Sequence, residues 1–94
     1  MHIEQGRHDQ ALAALEQTLR IRTRELGANH PDTAVVHVTL AEVTQAKGDR
    51  KQQLVHLRNA LKAYEQAEVR DQPMIRSLRS AIVAVCQQEP SCQS

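Results

Sequence analysis

Five histidines and two cysteines carry most of the reactive chemistry in this 94-residue chain. A structural or catalytic zinc site needs three or four His, Cys or acidic side chains converging on one ion. His30 and His37, seven residues apart, fit one helix face, but no third ligand falls at metal spacing beside them. His2 and His56 stand without an evident partner. A nucleophilic cysteine needs a base oriented toward it, and nothing in the sequence orients a histidine toward Cys86. There is no glycine-rich phosphate loop and no serine in a strand–turn–helix elbow. The residue types therefore predict no catalysis, no bound metal and no cofactor.

Cys86 and Cys92 lie six apart with Pro90 between them, too few for a disulfide framework. A local bridge forms if the chain doubles back far enough to bring the two Cα atoms within reach. The plainer alternative, preferred from sequence, is one buried thiol on a helix and one free thiol in a tail.

The elements that position these residues are set by the rest of the composition. Tyr64 is the sole aromatic among Phe, Trp and Tyr, so the core must be built from Leu, Ile, Val and Ala. Such a core suits closely packed helices better than stacked sheets. The formal net charge is +1, which argues against phosphate-dominated nucleic-acid binding. Arg20, Arg22 and Arg24 are interleaved with Glu16 and Glu25 and read as a solvated helix face. No apolar run approaches the ~18 residues of a membrane span, and no leader pattern opens the chain. The expected compartment is the cytoplasm.

Sliding the sequence against itself exposes a repeat. At an offset of 42, Gly6 falls on Gly48, Leu12 on Leu54, Leu15 on Leu57, Leu19 on Leu61 and Pro31 on Pro73. Only eight of the 52 overlapping positions are identical, but they sit at turns and at apolar positions three or four apart. Four helices follow. Leu12, Leu15, Leu19 and Leu26 trace a stripe over about 8–26, which Gly27 stops. Pro31 suits the first turn of a helix over 31–47, with Val36, Leu40 and Val43 inward, ending at Gly48-Asp49. A third runs over 50–69 with Leu54, Leu57, Leu61 and Tyr64. Pro73 opens a fourth over 73–88, with Leu78, Ile82 and Val85, and 89–94 is a tail. Breaks recurring at a fixed interval favour a solenoid over a continuous coiled coil. The fold class read from this pattern is all-α, antiparallel helical hairpins stacked as a short right-handed solenoid in one domain.

The segment from Leu26 to Ala34, Leu-Gly-Ala-Asn-His-Pro-Asp-Thr-Ala, resembles the inter-repeat connection of kinesin-light-chain-type tetratricopeptide repeats. That subtype is typically 42 residues long. Gln45-Ala46-Lys47-Gly48-Asp49 is similar to the turn inside each repeat, and Glu4-Gln5-Gly6-Arg7-His8 to the same turn one repeat earlier. The resemblance implies that Met1 to Gln5 is the last turn of a first-position helix and that the chain is a piece of a longer array. It places His37 at an inward position usually occupied by a large apolar residue, and His8 where tyrosine is preferred, so both are expected to pack.

The same resemblance places a partner-binding groove on first-position helices. It implies Val35, Val38, Glu42 and Gln45 on one helix, continued by Ser77, Ser80, Ala84 and Gln87 on the last. Where the subtype often carries an Asn-Asn backbone clamp, this chain has Val38-Thr39 and Ser80-Ala81. The function implied is a scaffold for a protein or peptide partner. The alternative is a homo-oligomer assembled through uncapped terminal helices, since repeat arrays usually need about three units to stand alone.

Overall fold

The computed structural model describes residues 5–67 and 70–89. These form α1 (Gln5–Leu26), α2 (Pro31–Lys47), α3 (Arg50–Gln66) and α4 (Gln72–Gln88), with no strand among the described residues. Each helix packs on the next in chain order, α2 against α3 most extensively. The result is a series of antiparallel helical hairpins.

Local chemistry fixes the corners. Gly48 takes the left-handed conformation after α2, with φ of 86°. Its N–H donates to the Gln45 carbonyl at 3.0 Å, and the Asp49 N–H donates to the Thr44 carbonyl at 2.9 Å. This pair of bonds is the Schellman arrangement, which satisfies carbonyls that α2 would otherwise leave open. Asp49 then starts α3, its Oδ1 accepting from the Gln52 N–H at 3.1 Å. One two-residue turn thus stops a helix and caps the next.

The connection from α1 to α2 uses different parts. Gly27, with φ of 93°, ends α1, and Pro31 occupies the first position of α2. His30 is the N-cap, its Nδ1 accepting from the Asp32 N–H at 3.0 Å. Fully buried Thr33 donates its hydroxyl to the Gly27 carbonyl at 2.9 Å, which pins the loop against the helix it feeds.

The core repeats with the sequence. Thr33 and Ile75, and Val36 and Leu78, are pairs 42 residues apart, and all four are buried. Leu54, Leu57 and Tyr64 of α3 are buried as expected, with Leu61 half-buried. Ala34, Ala41, Ala60 and Ala63 are buried among them, and these small side chains let the helices approach closely.

Several expectations are corrected. α1 already includes Gly6 as its second residue, so that glycine is not a corner; any turn before it lies outside the described residues, as do Met1 to Glu4. α3 ends at Gln66, where Ala67 leaves in an extended conformation, rather than at Val69. α4 starts at Gln72 because the Asp71 carboxylate accepts from the Met74 N–H at 3.2 Å, which makes Pro73 the second helical residue. Leu26 is 41% exposed, since the α1 stripe outruns the helix that covers it. Cys86 is disulfide-bonded, which overturns the preferred thiol. α4 stops at Gln88 and Glu89 is extended, so the chain leaves the helix before Pro90. Cys92 lies outside the described residues.

Candidate partner-binding surface

α2 and α4 are held with one face on the core and the other toward solvent. On α2, Ala34 and Ala41 turn inward, which leaves Val35 (51% exposed), Glu42 and Gln45 on the outer side. Val38 lies at the edge of that face, half-buried and packed on the core cluster. On α4, Ile75 and Leu78 are buried, and Ser77, Ser80, Ala84 and Gln87 are exposed.

Five of the eight positions line clefts. Gln45 and Ala84 meet across a cleft of about 330 Å³ between the end of α2 and the end of α4, with Arg50, Gln53 and Gln88 on its walls. Ser80, Ala84 and Gln87 line a shallow depression of about 350 Å³ with Val83 and Arg79. Val35 belongs to a separate cleft of about 470 Å³ between α1 and α2, beside Leu15, Thr18 and Arg22. Ala84 is shared by the first two and links them.

Three polar residues at the central cleft were not signalled by the sequence. Gln53 is 8% exposed yet lines the cavity from α3. Arg50 Nη1 donates to the Gln88 carbonyl at 3.5 Å, tying the start of α3 to the end of α4. Glutamine amides present both donors and acceptors and arginine presents donors only. The walls therefore suit peptide main chain, side-chain amides or a carboxylate. Arg50 and Gln53 lie in the first turn of α3, and the Gly48-Asp49 turn that sets this start beside the end of α2 is the signal that would have found them.

The histidines resolve into packing positions. His37 of α2 and His56 of α3 lie with ring centroids 5.8 Å apart and planes inclined by 32°. Burial lowers the pKa of His37, and the neighbouring His56 lowers it further. Burial also lowers that of His56, against the pull of Glu16 and Asp49. His8 on α1 is buried as well. Among the described residues no group of three or more His, Cys, Asp or Glu is disposed to hold a metal. No helix among them is long and apolar enough to cross a membrane.

Comparison with known families decides what this frame is. The family model for the tetratricopeptide repeat matches residues 1–68. The chain belongs to the tetratricopeptide repeat family. Comparison with characterised proteins and with solved structures gives no significant match. Tetratricopeptide repeats are a non-catalytic scaffold family whose domains generally bind protein partners, and membership suggests a protein–protein interaction module.

Proposed function

We propose that this tetratricopeptide chain binds a protein or peptide partner across the outer faces of α2 and α4, centred on the cleft between Gln45 and Ala84. The observation that carries this reading is that cleft, where the ends of α2 and α4 meet beside Gln53 and Arg50; the resemblance to the 42-residue subtype makes these two the first-position helices of successive repeats. Its polar and apolar walls suit a short extended segment that offers main-chain hydrogen bonds and one small apolar side chain. No catalytic step is part of the reading. The recurrence of buried pairs at 42 residues, together with Pro31 and Pro73 in the first turns of α2 and α4, supports the kinesin-light-chain-like subtype.

A photo-crosslinking amino acid at Ala84 tests the proposal against the same probe at Val55, which is 45% exposed on α3. With cell extract, the Ala84 probe is expected to capture a defined partner that Gln45→Arg abolishes. Equal capture of the same proteins from Val55 would remove the case for this surface.

A second reading, self-association, has its own observation. Among the described residues α1 packs on α2 alone, and Ile21 and Leu26 are 45% and 41% exposed on it. Covering the exposed parts of these two side chains is worth roughly 1.5–3 kcal/mol in all, one contribution toward docking a second copy there. Sedimentation velocity distinguishes the two: a dimer dispersed by Ile21→Lys supports self-association, and a monomer at high concentration removes it. The sequence leads to a cytoplasmic location. The disulfide at Cys86 weighs against it, because such bonds persist mainly in oxidising compartments.

A further inference from the structure

The most extensive helix interface contains two titratable rings packed against each other. His37 and His56 face each other across the α2–α3 seam at 5.8 Å between centroids. The Nδ1 atoms of both are buried and have no hydrogen-bond partner. A neutral ring tolerates this at the cost of one unsatisfied nitrogen, whereas a charged ring must find a counter-charge or water. An aliphatic pair would fill the same volume without that cost. We propose that the His37–His56 pair is a pH-sensitive latch, closed while both rings are neutral and opened by mild acid, which separates α2 from α3.

The charges around the pair determine whether acid opens the seam. Glu16 reaches His56 from α1, and Asp49 reaches it from the turn. Both favour a first proton on His56, so the pair is drawn toward protonation on one side only. His37 is faced by His56 itself, whose charge opposes a second proton. From α4, Arg79 meets α3 at Glu65, about 13 Å along the helix from His56, and the two neutralise each other. Burial outweighs the two carboxylates at His56 and acts unopposed at His37.

The direction follows. Both rings hold protons less tightly folded than unfolded, so their stabilising effect is complete above about pH 6.5, the ordinary histidine value. It is lost as pH falls below that value, because the unfolded chain takes up protons first. Opening at this seam would displace α2, which carries Val35, Glu42 and Gln45, but the latch itself does not rest on the proposed binding surface.

Thermal melts at pH 7.4 and 5.0 compare the unaltered chain with the double variant His37→Leu, His56→Leu. His2, His8 and His30 remain in both, so the difference isolates the pair. The unaltered chain is expected to lose about 5 °C or more beyond the loss of the variant. Equal losses would overturn the latch. Where the variant does not fold at pH 7.4, an NMR titration of the imidazole carbons in the unaltered chain decides. Both rings titrating below the ordinary histidine range supports the proposal, and either ring titrating at or above it overturns it.

Discussion

Replacing Gly48 by alanine should destabilise the fold by about 1 kcal/mol, and the structure says why the figure is neither zero nor large. Gly48 sits at φ of 86° and ψ of 14°, a conformation that costs an L-residue roughly 1–2 kcal/mol. A Cβ built there meets nothing within 4 Å, so no steric cost is added. Alanine also narrows the unfolded ensemble, which returns about 0.4–1 kcal/mol. The net loss predicts a melting temperature lower by about 4–8 °C for a chain of this size. Asparagine, which visits the left-handed region more readily, should lose less. D-alanine, introduced by chemical synthesis, favours positive φ and should match or exceed glycine. Differential scanning calorimetry on the four proteins is the assay. An L-alanine variant as stable as the parent, or a D-alanine variant as unstable as its mirror form, would refute the torsional argument.

Three further perturbations separate packing, capping and surface charge. Leu40→Ala removes a side chain that is 0% exposed at the centre of α2 and should cost about 2–5 kcal/mol, read from the denaturant midpoint at unchanged slope. Asp49→Ala deletes the cap that accepts from Gln52 and should cost about 1 kcal/mol, with Asp49→Asn or Asp49→Ser largely restoring stability in the same titration. Lys47→Ala breaks the 2.8 Å ion pair with Asp9, which lies in solvent. It should leave the melting temperature unchanged at physiological salt. A large loss there would mean that the α1–α2 contact depends on this pair.

The parts of the fold that were legible in the sequence are those specified by local chemistry. Gly27, Pro31, Gly48 and Asp49 each do one thing that few other residues do, and each sits where its type required. The readings that failed depended on competition or on neighbours. Pro73 is compatible with the first helical position, but Asp71 offers a better cap and moves the start to Gln72. Leu26 continues the apolar stripe of α1, yet periodicity does not reveal that no helix covers its end. Val38, which the resemblance puts on the groove face, also packs on the core cluster beside Ala34 and Ala41, a contact that periodicity does not reveal. The His37–His56 contact joins residues 19 apart and becomes readable only once the Gly48 turn folds α2 back along α3. The corner formed by Arg50, Gln53 and Gln88 needs three helices in register and had no sequence signature.

These observations converge on α2 as the element through which binding and stability are coupled. α2 packs on both α1 and α3, and it supplies Gln45 to the cleft shared with α4. A partner seated at that cleft bridges α2 and α4, which among the described residues are joined through α3 rather than by extensive packing on each other. Its binding free energy therefore adds to the cohesion of the two repeats, and a partner at 100 times its dissociation constant stabilises the folded chain by about 2.7 kcal/mol. For a chain of marginal stability, about 5–15 kcal/mol, that increment is large. The same geometry works in reverse. Whatever loosens α2 from α3, such as charge on the His37–His56 pair, separates Gln45 from Arg50 and Gln53 and dismantles the cleft before the helices themselves melt. Binding at this surface should thus weaken in proportion to the opening of the α2–α3 seam, not to the loss of helix content.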